Sequence, residues 1–228
     1  MGLIWIAIVG VAGFSLLKIG SRLRAANSDI RVFQFKYQLA TLALGLAVFA
    51  LSGSFGRWIT LFGELDAPAT ELSYLGASNT DTWLNIGLTF ALIMGVVTLV
   101  VVWLQSGRGN RSSWRQVAVN LPLVLAFSLA NSLTEELIFR VSLVQGIGGQ
   151  LPSWGVALLS AILFGGVHYF GQPGKIPGVL MAGFMGWLLT YSVIQTGGLF
   201  WAWFIHFIQD CIIFAIVFAK TKSDLASN

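Results

Sequence analysis

The stretch PLVLAFSLANSLTEELIFRVSLVQG, residues 122–146, decides how the chain is read. Apolar residues continue on both sides of Glu135, Glu136 and Arg140, and no turn former follows the two carboxylates directly. A run of this length and character reads as a lipid-embedded helix, since roughly 17 to 25 mostly apolar residues are needed to cross a bilayer core. Three charges in its middle are then expensive, because each costs about 2.5 to 3.5 kcal/mol at the bilayer centre on insertion scales. If the helix simply ended at the acids, their side chains would reach the interface. The continuation LIFRVSLVQG argues against that ending.

The rest of the chain supports a membrane reading. Of its 228 residues, 56% are hydrophobic and only 10% are charged, with a mean hydropathy of +0.81, a balance foreign to soluble domains. Apolar segments near residues 2–19, 37–56, 84–104, 117–145, 154–171, 178–195 and 199–219 predict seven helices. The expected fold is an all-α polytopic membrane protein of about seven (six to eight) transmembrane helices around a polar intramembrane cavity. It is expected to be a single membrane domain, with N-terminal helices over 1–110 that carry no recognisable motif and a core over 117–219.

The net charge of +4 does not indicate a nucleic-acid partner, because the basic residues lie in short connections beside apolar runs. The 20–36 connection holds Arg22, Arg24, Arg31 and Lys36, whereas 57–83 holds Glu64, Asp66, Glu71 and Asp81. With QSGRGNRSSWR at 105–115 and Lys220 and Lys222 in the tail, the positive-inside rule places the N-terminus outside and the C-terminus in the cytoplasm. The first apolar run lacks a preceding basic stretch and is followed by Lys18, so it reads as a retained helix. Trp58, Tyr74 and Trp83 are expected at headgroup level, with a short interfacial helix in the acidic connection. HYFGQPGKIPGVL, 168–180, reads as the connection after the fifth helix. The small residues Gly178, Ala182 and Gly186 mark a face for close helix packing, and the single Cys211 excludes an intramolecular disulfide.

Ionisable residues concentrate in the last four helices: Glu135, Glu136, Arg140, His168, His206 and Asp210. Glu136 and Arg140 are spaced i,i+4 with the acid first, the favourable order on a helix. Glu135 points elsewhere and is left for another partner. His168 follows Phe164 by four residues, and Asp210 follows His206 by four. At ~1.5 Å per residue, His168 lies about 21 Å along its helix and His206 about 10 Å along its own, so straight helices do not bring them to one depth.

EELIFR, FGGVH and HFIQD, in that order on successive helices, resemble the motifs of the CAAX-protease and bacteriocin-processing (CPBP) family of intramembrane endopeptidases, also called type II CAAX prenyl endopeptidases. The resemblance implies hydrolysis of a peptide bond within the membrane. Glu135 would be the general base, His168 its partner in holding the attacking water, Glu136 and Arg140 the groups that position Glu135, and His206 with the last residue of the third motif the oxyanion stabilisers. That motif often ends in Asn, an amide donor; here it ends in Asp210, which is expected to accept from the His206 ring instead. The implied substrates are peptides or prenylated proteins, with membrane lipid as surroundings. The cofactor is either none or a single divalent metal such as zinc, and no HExxH-like pair favours the metal. A catalytically silent scaffold of the same fold and a proton-coupled transporter are the competing readings. The lack of internal repeats argues against the transporter.

Overall fold

The computed structural model describes residues 2–53, 61–78, 80–106, 114–171 and 174–219. Trp58, Arg108, Arg111, Lys220, Lys222 and the side chain of Tyr74 lie outside the described residues. The helices are α1 (Gly2–Ala26), α2 (Ile30–Leu51), α3 (Trp83–Ser106), α4 (Trp114–Glu136), α5 (Ser142–Ile147), α6 (Ser153–Val167), α7 (Lys175–Thr196) and α8 (Phe200–Ala219). A π-helical turn, Leu137–Val141, joins α4 to α5, so 114–147 forms one continuous helical stretch of 34 residues. Among the described residues there is no β-strand, only isolated bridges. Six stretches are long and apolar enough to cross a membrane, and α6, with 15 residues, is a shorter apolar helix. The chain is an all-α polytopic membrane protein.

Several boundaries depart from the sequence reading: α1 runs on to Ala26 rather than 19, α2 ends at Leu51 rather than 56, α6 ends at Val167 rather than 171, and two helices start early. The second helix starts at Ile30 rather than near 37, because Asp29 caps it by accepting from the Arg31 amide at 2.7 Å. The run of charges resembled a loop, yet basic side chains are well accommodated in a first turn that reaches water. The sixth apolar segment also starts early: Ile176 and Pro177 belong to the first turn of α7, where proline's missing N–H costs nothing.

The chain reverses direction at each connection. Gly2 at the start of α1 donates to Gln150 between α5 and α6 at 3.0 Å, and Trp83 at the start of α3 donates through its indole to Gln195 at the end of α7 at 2.7 Å. These ends share one face. On the opposite face Ile30 packs near Val124, Phe127, Phe214 and Phe218, which joins the beginning of α2 and the middle of α4 to the end of α8.

The acidic connection clamps the α7–α8 turn. The Glu64 amide donates to Thr196 at 2.8 Å, the Leu199 amide to Leu61 at 3.0 Å, and the Trp201 indole to the Leu65 carbonyl at 2.8 Å. Trp83 is therefore fully buried against Leu72, Tyr191 and Trp201, not placed at the headgroups as its composition suggested. The 3₁₀ turn Thr70–Leu75 likewise inserts Leu72 into this cluster. Tryptophan satisfies both settings, an apolar body with one donor, and composition alone does not choose between them.

Close packing of α6 on α7 follows the small-residue face. A side chain begun at Gly186 would sit 2.9 Å from the Ala161 Cα and from the Ser160 carbonyl oxygen, both backbone atoms that cannot swing aside. Ala182, one turn earlier, faces the interior cavity instead. Gly186→Leu is accordingly expected to lower the midpoint of thermal unfolding in detergent clearly, by ~1 to 3 kcal/mol of overpacking, whereas Gly166→Ala, with open space around it and a helical backbone, changes it far less.

Candidate active site

The site is built on the α4–π–α5 stretch. An α-helix places residues four apart on one face, so Asn131 and Glu135 project together, while Glu136 turns toward the protein interior. The wide π turn begins one residue after Glu136 and contains Arg140. Such bulges frequently occur at functional positions, because they re-aim side chains within an otherwise regular helix.

Glu136 and Arg140 are fully buried. Arg140 Nε lies 3.3 Å from Glu136 Oε2, and the guanidinium carbon lies 3.8 Å from the centroid of the Phe164 ring. The opposite oxygen of Glu136 accepts a 2.7 Å hydrogen bond from His206 Nδ1 on α8. This bond decides which nitrogen faces the cavity: Nδ1 must donate to a carboxylate, and Nε2 is turned toward Glu135 Oε2 at 3.5 Å and Asp210 Oδ1 at 3.8 Å. His206 is thus oriented by Glu136. The expected hydrogen bond from its ring to Asp210 is not formed, because Glu136 from the neighbouring helix already holds Nδ1 at much shorter range.

His168 caps the C-terminus of α6. Its Nδ1 donates to the Phe164 carbonyl at 2.9 Å, which turns Nε2 toward Glu135 Oε2 at 3.9 Å. Both histidines therefore face the same carboxylate oxygen, and the difference in depth counted along straight helices disappears. The short α6 ends inside the protein, at the level His206 reaches six residues into α8. Phe164 joins the parts, with ring centroids 4.3 Å from His168, 5.7 Å from His206 and 5.2 Å from Phe139.

Asn131 was in plain view in the sequence and was missed. Its Nδ2 donates to Glu135 Oε1 at 3.2 Å and to Asp210 Oδ2 at 3.1 Å, so one amide separates two carboxylates on different helices. The i,i+4 spacing from Asn131 to Glu135 was the available signal. Gln38 of α2 in turn donates to Asn131 Oδ1 at 3.4 Å, and Gln209 donates to Thr98 of α3 at 2.9 Å. Uncharged amides in apolar helices stand out less than ions do.

These groups line a cavity of about 310 Å³, whose walls include Tyr37, Gln38, Asn131, Glu135, Phe164, His168, His206 and Asp210, together with Met181 and Met185 of α7. Gln34, Phe170, Gly171 and Val217 continue it toward the face where α2 and α7 begin. As a metal centre the arrangement fits poorly: among the described residues no group of three or more His, Cys, Asp or Glu side chains could hold a metal ion. His206 also commits one nitrogen to Glu136.

A bundle of apolar helices that encloses three carboxylates and two histidines defines a class, polytopic membrane proteins with a buried polar cluster. Residues 117–212 match the family described as type II CAAX prenyl endopeptidase Rce1-like, which supports the resemblance to the CAAX-protease and bacteriocin-processing family over that segment. Neither a curated protein nor a solved structure matches the chain.

The buried pair makes a stability prediction. Glu136→Leu leaves Arg140 without a counter-charge and His206 without its acceptor, and an expected loss of about 3 to 5 kcal/mol follows. Glu135→Gln, which keeps an acceptor for Asn131, is expected to cost far less, and Glu136→Leu combined with Arg140→Met to recover much of the loss. Thermal unfolding of the purified variants in detergent separates the three.

Proposed function

We propose that this cavity hydrolyses a peptide bond, with Glu135 and His168 activating the attacking water. The observation that carries the reading is the position of Glu135 Oε2, 3.9 Å from His168 Nε2 and 3.5 Å from His206 Nε2 inside one cavity. Both separations are too long for direct hydrogen bonds and suit a bridging water. Glu135 takes a proton from that water as oxygen attacks the carbonyl carbon, then returns it to the amine nitrogen as the peptide bond breaks. His168 offers Nε2 to the same water, its other nitrogen being committed to Phe164. His206 Nε2, 3.5 Å from the same Glu135 oxygen, borders the cavity where the oxyanion develops. Glu136 and Arg140 act through others, fixing His206 and the helix that carries Glu135.

The family implies a protease, and the substrates favoured are a prenylated protein C-terminus of the CAAX type or a bacteriocin-like peptide. The cavity runs toward the face that bears Arg24, Arg31, Lys36 and Lys175, the face that the positive-inside rule assigns to the cytoplasm. Substrate then enters from the cytoplasmic side, with the N-terminus of α1 outside.

Cleavage of farnesylated and unmodified quenched-fluorescence peptides by the purified protein tests the reaction. Glu135→Gln and His168→Ala are each expected to lower kcat/KM at least 100-fold, the scale of a lost general base, with thermal stability retained. Full activity in either variant rules the mechanism out, and unfolding of both would favour a structural role for the cluster. Topology is read separately: in a Cys211→Ser background, Phe170→Cys should react with an impermeant maleimide only when the cytoplasmic face is open to it.

A further inference from the structure

An oxyanion needs a donor, and the polar groups around Glu135 are mostly committed. Asp210 is a carboxylate, which supplies no amide donor, and it accepts from Asn131. The Asn131 amide is occupied by two carboxylates, Gln38 Nε2 by Asn131 and Gln34, and Gln209 Nε2 by Thr98. Orientation propagates along this chain. Carboxylates only accept, so Asn131 must turn its NH₂ toward them and its carbonyl toward Gln38, which fixes that side chain as well.

Tyr37 remains. It lies on α2, outside the 117–212 family segment, and lines the same cavity as Glu135, His206 and Asp210. Its hydroxyl makes no hydrogen bond among the described residues, and it is electrostatically coupled to Glu135 and Asp210. The ring is held from both sides. It stacks on Phe33 with centroids 5.8 Å apart, and a Cβ at Gly20 of α1 would come within 3.2 Å of its edge, so glycine there makes room for it. The helix is held too: Gly45 of α2 allows close approach to Thr134, the residue before Glu135, and Gln38 grips Asn131. A phenol on a fixed ring with a free hydroxyl is a preorganised donor, the kind of group that stabilises charge in a dry site.

We propose that Tyr37 is a catalytic residue that donates to the oxyanion of the tetrahedral intermediate, in place of the amide that Asp210 does not supply. The inference rests on the hydrolytic reading of the site. The test uses the full-length protein and its Tyr37→Phe variant, with farnesylated and unmodified fluorogenic peptides, and a tetrahedral phosphinate analogue of whichever peptide is cleaved. Phenylalanine keeps the ring and loses only the hydroxyl, so thermal stability is expected to stay unchanged. The expected result is a fall in kcat of about 100-fold with KM within about twofold, the scale of one lost oxyanion donor, and a parallel loss of phosphinate affinity. Unchanged kcat, a rise in KM alone, or a loss of activity that tracks a loss of thermal stability overturns the assignment of Tyr37 and leaves Glu135 hydrolysis standing. A wild-type protein that cleaves neither peptide overturns both.

Discussion

The burial of Glu136 is the constraint from which the site follows. A carboxylate at zero exposure is tolerated only if both oxygens are engaged. Arg140 approaches one from within the same helical stretch and His206 takes the other from α8. Among the described residues none of the three guanidinium nitrogens of Arg140 finds a hydrogen-bond partner, and the Glu136 charge and the Phe164 ring face lie against it. The pairing is therefore weak evidence for stability as such and stronger evidence for specificity, since it permits one rotation of α4 against α8 and one orientation of the histidine.

Two features remote from the charges place the remaining parts. The clamp of 61–83 on the α7–α8 turn fixes where α8 begins, and the depth of His206 follows from counting six residues along it. On the other side, α6 ends early enough to leave His168 inside the protein, where its backbone-held Nδ1 leaves Nε2 facing Glu135. Neither the clamp nor the short helix bears a motif, yet each sets a distance at the carboxylate.

Hydropathy made the fold legible because lipid demands long apolar runs, and the charges within those runs were legible because they are costly there. Glu135, Glu136, Arg140, His168, His206 and Asp210 lie together in space. What the sequence could not rank was competition between acceptors. An i,i+4 spacing suggested Asp210 for His206, but a carboxylate from another helix, closer in space and seventy residues away in the chain, holds the ring instead. Local spacing lists the partners within a helix and is silent about those across helices. Trp83 shows the same limit for burial, since its indole satisfies an interface and an interior equally well.

The family segment supplies every ionised group of the site, but a cavity also needs walls. The cavity beside Glu135 is closed in part by groups from α2. Gln38 reaches Asn131 from there, and Gly45 lets the helix lie against Thr134. Such contacts are made by amides and by a missing side chain, which carry no charge penalty in lipid and so leave no strong mark in hydropathy. The motif-free N-terminal half is thereby part of the cavity, and variation in α2 reshapes its walls without a change in the ionisable residues.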